Sequence, residues 1–485
     1  MCYKVRVKIL FVSSEIVPFA SSGGLGDVCA ALPKALSRKG INIIKIMPLY
    51  GCIDREKYFI EPTGIELNIS FSNSTYLVKI YSQTYENITT YFIQSDVFFN
   101  RENLYVDEYG DYDDNFERFL LFQKAIVGLI DFLNLSIDIV HCNDWQSSLI
   151  PIFLKYGTQG KLRQCNEKTL LTIHNLAHQG VFDSKKFYLM QLPLSCFSDK
   201  ILEFYGNINC FKGGIIEADA VNTVSPSYAK EILLEKYGNS LDGVLNNRSD
   251  NIYGILNGVD YERWSPNSDS YIDCNYSIND LSGKLKCKKE LQSLLNLEHK
   301  ENVPLISMVS RLTSQKGLDL LFESFDELMK KDIQIIFLGT GEQWYEDQIR
   351  DLEHRWPEKV VAKIEFSSSL AHKFFAGSDI FLMPSTFEPC GQSQIFSMRY
   401  GTIPIAYNTG GLSDTIIDYP RKGSTGFLFE TFNTFSFLDK INYSLDVYNQ
   451  KINWTKLIKR AMKCNFSVDQ MALEYINLYK KIISN

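Results

Sequence analysis

The chain has 485 residues, 45% of them hydrophobic, with 57 acidic against 50 basic side chains. A formal net charge of −7 argues against the continuous basic face that nucleic-acid or anionic-membrane binding needs, although a local basic pocket is compatible with it. The length exceeds what a single hydrophobic core organises, so two large domains are expected.

The 11 cysteines follow no Cys-x-x-Cys spacing, and Cys29, Cys142 and Cys210 fall inside apolar strand or helix patterns. They read as reduced core thiols of a cytoplasmic protein rather than as a disulfide framework. The Asn-x-Ser/Thr matches at Asn68 and Asn87 then carry no glycosylation meaning. The first strand pattern begins by Val5, which leaves no room for a signal or transit peptide.

In chain order, apolar runs at residues 7–13, 41–47, 137–141, 169–173, 220–224 and 252–256 read as strands. A second series follows at 304–309, 333–338, 360–365, 379–383 and 403–406. Helical patterns separate most of them. Near-continuous apolar strands alternating with helices predict parallel sheets covered on both faces, here two doubly wound α/β domains. Residues 57–94 alternate Thr, Tyr, Ile and Ser and predict an antiparallel insertion. The run 119–135 is interrupted by Gln123, Lys124 and Asp131 and reads as an amphipathic helix, not a membrane span. The domain boundary is expected at Asn257-Gly258-Val259-Asp260, giving domains over 1–256 and 257–465. The polar stretch 265–282 reads as a surface connection, and 466–485 as a closing helix.

The most informative segment is Pro384-Ser385-Thr386-Phe387-Glu388-Pro389-Cys390-Gly391. It sets the Glu388 carboxylate at the carboxyl end of a parallel strand, where open α/β sheets bind ligands. The helix pattern that begins at Gln392 and Ser393 offers backbone N–H groups to a phosphate. An ordinary strand-to-helix turn with a solvated Glu is the plainer reading of the same residues.

Two Gly-Gly-Leu-x-Asp turns each follow an apolar strand. One runs from Ser21 through Gly23, Gly24 and Asp27, the other from Thr409 through Gly410 and Asp414. They predict two loops turned toward one cleft, or else a duplicated packing turn. Neither has the GxGxxG spacing of a dinucleotide site. Arg311 and Lys316 flank a short turn just past a strand end, so both could reach one diphosphate. His174-Asn175 ends one strand, and His141, Asp144 and Trp145 end another, which points to a lined pocket. Asp111-Tyr112-Asp113 reads as loop or helix-cap chemistry without a metal.

Together these segments resemble bacterial glycogen synthases and plant starch synthases, retaining glucosyltransferases of the GT-B fold. The resemblance runs through residues 101–119, 141–145, 174–180, 212–214, 223–229, 255–260, 309–317, 387–391 and 409–414. It implies two Rossmann-like domains across a cleft, with the final helix returning to the first. It also implies a nucleotide sugar, ADP-glucose, as donor and an α-1,4-glucan as acceptor, with no metal and no further cofactor.

The roles implied are these. Arg311 and Lys316 hold the diphosphate, while Glu388 lies beside the donor glucose. His174 bonds the glucose 6-hydroxyl. Asp144, Trp145, Tyr105 and Asn175 shape the sugar pocket, with Asn257 nearby. Phe366 lies against the nucleotide base, and Ser21, Gly23, Gly24, Asp27, Cys390, Gly391, Gln392, Ser393, Thr409 and Gly410 complete the donor site. Three positions depart from the family pattern: Ser21 stands where Lys is usual, Asn143 where His is frequent, and Gln392 where Leu is frequent. Ser21 loses a cation, Asn143 reads as a neutral change, and Gln392 offers an additional polar contact. A GT-B transferase with another acceptor, and a non-catalytic glucan- or nucleotide-sugar-binding paralogue, are the alternatives.

Overall fold

The structure is a computed structural model describing residues 7–71, 74–158 and 166–484. The strand start expected by Val5, and Cys2 and Cys165, lie outside the described residues. The chain divides into two compact units. One runs up to Gly258 and includes the segment from Val468 onward; the other is Val259–Ser467.

The first unit is built on a nine-stranded sheet. Its strands are β1 (Lys8–Val12), β2 (Asn42–Pro48), β3 (Glu61–Phe71), β4 (Ser74–Tyr85), β5 (Ile88–Gln94), β6 (Ile139–Asn143), β7 (Lys168–Ile173), β8 (Ala220–Thr223) and β9 (Ile252–Gly254). Their order is β9-β8-β7-β6-β1-β2-β5-β4-β3. β6 and β8 are buried at every position, and β7 and β1 at all but their first. Cover on both faces is why these strands read as unbroken apolar runs.

The insertion expected over 57–94 is antiparallel only in part. β4 pairs antiparallel with β3 and β5, but β5 also pairs parallel with β2, Met47 opposite Phe92. Its last strand therefore extends the main sheet, which residue alternation alone does not reveal.

The 119–135 pattern is also corrected. The helix spans Asn115–Phe132 and is buried over most of its surface. Asp131 is exposed, but Gln123 and Lys124, which look like part of a wet face, are interior hydrogen-bonding groups. The Gln123 carbonyl accepts Leu149 N–H at 2.6 Å. Lys124 Nζ donates to Gln191 Oε1 at 2.8 Å and to the Leu189 carbonyl at 3.2 Å. Buried polar groups need such partners, so their presence marks satisfied positions and not solvent contact.

The helix Val468–Ser484 belongs to the first unit and is pinned by a buried relay. Thr172 Oγ1 donates to Asn222 Oδ1 at 2.6 Å, which spends its only proton. His141 Nε2 therefore donates to Thr172 (2.6 Å), and His141 Nδ1 accepts from Tyr479 OH (2.8 Å). Asn222 Nδ2 donates to Tyr475 OH at 2.9 Å.

The second unit carries a six-stranded, wholly parallel sheet: β10 (Leu305–Val309), β11 (Gln334–Leu338), β12 (Val360–Lys363), β13 (Ile380–Met383), β14 (Ile403–Tyr407) and β15 (Phe427–Phe429). The order β12-β11-β10-β13-β14-β15 reverses between β10 and β13. β15, three residues long, is not among the apolar runs that read as strands. The 265–282 stretch is not simply a surface connection. Asp269, buried, accepts from His372 Nδ1 at 2.7 Å and from Tyr400 OH, and Tyr276 OH donates to the Tyr400 carbonyl at 2.7 Å. Among the described residues, no helix is long and apolar enough to cross a membrane.

Candidate active site

In each sheet the strand order has a reversal, between β1 and β6 in the first unit and between β10 and β13 in the second. Chains leaving neighbouring strands there depart in opposite directions and open a crevice at the carboxyl ends. Glu15, Asp144, Arg311 and Glu388 follow these strands, and His174 follows the adjacent β7.

In the first unit, β6 ends at Asn143, and Asp144 follows with φ 57° and ψ −178°. Such a backbone is almost confined to glycine and costs on the order of 1–3 kcal/mol in other residues. Several bonds hold it: Asp144 N–H donates to the Thr172 carbonyl (3.0 Å), and Asp144 Oδ1 accepts His174 N–H (2.8 Å). Burial pushes the Asp144 carboxyl up to about 7, against the lowering effect of the His174 and Asn175 N–H groups. His174 is only partly covered at its surface, yet desolvation drives its pKa down to about 3, so its imidazole is neutral near pH 7. His174 Nε2 lies 2.9 Å from Asn143 Oδ1. The Asn175 side chain caps Ala177 N–H at 3.0 Å.

Trp145 is buried against Phe119 (5.0 Å, edge-on) and Phe182 (5.4 Å). Gly180, at φ 63°, passes so close that a Cβ would fall 2.5 Å from the indole. Tyr105 lies beyond Phe119 and shares its hydroxyl between Ser14 Oγ and Glu15 Oε1, both 2.7 Å away. Burial raises the Tyr105 phenol well above its ordinary value.

Glu15 is the residue that sequence reasoning missed. Its buried carboxylate also accepts Ser22 N–H at 2.5 Å and Ser22 Oγ at 2.7 Å, and so anchors the glycine loop. The one signal available was a carboxylate directly after an apolar strand. Ser21 Oγ donates to the Gly23 carbonyl at 2.9 Å. Gly24 opens the helix Gly24–Arg38, with Asp27 in its first turn. Gly23 is extended and a Cβ there would meet nothing, whereas at Gly26 it would run into Ser21. Packing therefore requires glycine at 26 and not at 23. Asn257 N–H donates to the Val224 carbonyl (3.2 Å), and its buried Oδ1 has no partner among the described residues.

In the second unit, β10 leads to Arg311, which is exposed and makes no hydrogen bond or ion pair among the described residues. Lys316 closes the short turn Ser314–Lys316, followed by Gly317 at φ 71°. A Cβ on Gly317 would collide with the Pro384 carbonyl, so only glycine lets this turn lie against the end of β13. Thr386 N–H donates to the Gln315 carbonyl (2.9 Å), and Gln315 Nε2 to the Phe387 carbonyl (3.2 Å).

This arrangement sets Lys316 Nζ 2.6 Å from Glu388 Oε2. The two cations are thus not equivalent: Lys316 is paired and Arg311 is not. On the other side of the loop, the Glu388 carbonyl accepts Gly411 N–H at 3.0 Å. Cys390 is buried, and Gly391 turns at φ 69°. Gln392 and Thr409 stand at the N-termini of the helices Ser393–Arg399 and Gly410–Thr415. These helices have only 7 and 6 residues, so they offer first-turn N–H groups and little macrodipole. Phe366 is 92% exposed.

Each unit therefore assembles its own cluster: Asp144, His174 and Trp145 with Tyr105 near Glu15 in the first, and Arg311, Lys316 and Glu388 with the 390–393 and 409–411 turns in the second. The chemistry on offer is a neutral imidazole beside a carboxyl in one, and an anion-seeking cation beside a carboxylate in the other.

Residues 8–247 match the starch synthase catalytic domain, and residues 295–461 match glycosyl transferases group 1. The chain is 42% identical to a glycogen synthase of Thermotoga maritima and 40% to one of Thermosipho melanesiensis, covering 99% of each chain in both pairs. The catalytic domain of starch synthase IV from Arabidopsis thaliana, solved bound to ADP and acarbose, superposes with a TM-score of 0.90 at 29% identity, over 99% of this chain and 100% of that one. A sucrose-phosphate synthase from Thermosynechococcus elongatus, 17% identical with a TM-score of 0.61, shares the fold. With doubly wound units of this topology and full-length relatives of this similarity, the chain belongs to the glycogen and starch synthase family of GT-B glucosyltransferases.

Proposed function

We propose that the protein transfers glucose from ADP-glucose to the 4-hydroxyl at the non-reducing end of an α-1,4-glucan, with retention of anomeric configuration. The observation that carries this reading is the paired Lys316 and Glu388 beside the unpaired Arg311, at the reversal point of a parallel sheet. Arg311 is accessible and its guanidinium fork suits a diphosphate. Lys316 adds a point charge, and the two cations stabilise the departing ADP without a metal or a cofactor. The ADP-bound state of the starch synthase neighbour supports a nucleoside diphosphate donor.

In this reading Glu388 faces the donor sugar, orients its hydroxyls and stabilises the oxocarbenium-like state electrostatically. Retention follows from a front-face displacement in which the leaving phosphate oxygen takes the acceptor proton as the new glycosidic bond forms. His174 bonds the glucose 6-hydroxyl, and Asp144, Trp145 and Tyr105 shape the pocket. Phe366, standing free in solvent, is available to a nucleotide base. The proposed setting is the cytoplasm, where the donor and reduced thiols coexist.

The test is incorporation of labelled glucose into glycogen from ADP-glucose and UDP-glucose in parallel, with wild type and Glu388→Ala. Turnover that prefers ADP-glucose and collapses in the variant supports the reading. Turnover that prefers UDP-glucose, or folded protein inactive with both donors, sinks it.

A further inference from the structure

Asn143, one of the three departures from the family pattern, sits against His174 in the folded chain. It is buried at the end of β6, with 1% of its surface exposed. Its Nδ2 donates to the Val12 carbonyl at 2.9 Å, and its Oδ1 lies 2.9 Å from His174 Nε2. The orientation of an asparagine amide has to be inferred from its partners, and here they leave one choice. A flipped amide would set oxygen against the Val12 carbonyl oxygen, two acceptors at hydrogen-bond distance. With Nδ2 committed to Val12, the group facing His174 is an oxygen, which can only accept. His174 Nε2 must therefore carry the proton. In a neutral imidazole the other nitrogen, Nδ1, is then a bare lone pair, and it has no partner among the described residues.

We propose that Asn143 is a positioning residue that locks His174 in the Nε2–H tautomer and so makes Nδ1 a hydrogen-bond acceptor for a ligand hydroxyl. The lock is a relay of one-way bonds, from His174 Nε2–H to the Asn143 carbonyl and from the Asn143 amide to the Val12 carbonyl of the neighbouring strand. The main chain of His174 is held independently by Asp144, whose Oδ1 accepts His174 N–H. Both constraints come from consecutive residues at one strand end. The desolvation that keeps His174 neutral agrees with this, since an imidazolium would have no lone pair to offer. That the hydroxyl is the glucose 6-hydroxyl rests on the function proposed above.

The test is the 15N spectrum of the histidine side chains in ligand-free protein, with His174 assigned from a His174→Gln variant. Wild type should show a neutral Nε2–H ring. Asn143→Leu should give mixed tautomers, with kcat/KM for ADP-glucose lowered roughly tenfold, the scale of one lost hydrogen bond. Asn143→Asp gives up the bond to the Val12 carbonyl but keeps an acceptor facing the ring, so it should restore Nε2–H, with the imidazole titrating at higher pH beside the new carboxylate. A wild-type Nδ1–H ring, or a spectrum unchanged in Asn143→Leu, overturns the proposal; should the Leu variant fail to fold, the wild-type spectrum alone decides. The spectrum is read without donor, so it stands or falls separately from the glycogen assay that tests the proposed function.

Discussion

Lys316 Nζ and Glu388 Oε2 stand 2.6 Å apart, with 14% and 9% of their side-chain surfaces exposed. Both are proposed to serve one reaction, and in the free protein each is the other's partner. A pair so sheltered costs desolvation to form, and removing one partner strands the other charge. Lys316→Met should destabilise the protein by about 3 kcal/mol and raise the donor KM. The double variant Lys316→Met/Glu388→Gln should regain much of the stability and none of the activity. Denaturant titrations of the four proteins in the cycle measure the coupling, and a coupling near zero would refute the pairing.

Asp144 should make stability depend on pH. Its carboxyl is raised from 3.8 to about 7, so the folded chain holds this proton more tightly than the unfolded chain. That contribution is complete below pH 3.8 and is lost as pH rises through about 7. Asp144→Asn keeps an oxygen for the His174 N–H and drops the charge. Its unfolding midpoint should fall less than that of wild type between pH 4 and 8, and parallel curves would show that the carboxyl is not held protonated.

Gly317 and Gly23 should respond oppositely to alanine. Gly317→Ala meets the Pro384 carbonyl at a positive φ, so it should destabilise by about 2 kcal/mol or more and displace Lys316. Gly23→Ala meets nothing and should change stability by about 0.5 kcal/mol or less. Thermal midpoints compare the two directly. A large loss at Gly23 would mean the loop is packed more tightly than its surroundings indicate.

Ser21 is exposed and bonded to the Gly23 carbonyl, so its side chain can be replaced without opening the core. Ser21→Lys should lower the KM for ADP-glucose a few-fold at low salt, with the gain shrinking as ionic strength screens the added charge. An unchanged or higher KM would mean that the loop held by Glu15 has been rebuilt around serine.

Sequence by itself determined the fold class and the address of each candidate residue. Parallel strands covered on both faces leave continuous apolar runs, and the chemistry-bearing residues Asp144, His174, Arg311 and Glu388 follow the ends of those runs. Tertiary structure alone decided what each residue is bonded to. Lys316 meets Glu388 across 72 residues of chain, Tyr105 meets Glu15 across 90, and His141 meets Tyr479 across 338. It also decided that Gln123 and Lys124 lie inside, that β5 joins the main sheet, and that the Asn143 side-chain oxygen faces His174 Nε2. The reason is physical. Apolar burial is a property of a stretch of chain and leaves a periodic trace, whereas a hydrogen bond depends on two atoms within about 3 Å that a linear order of residues does not bring together.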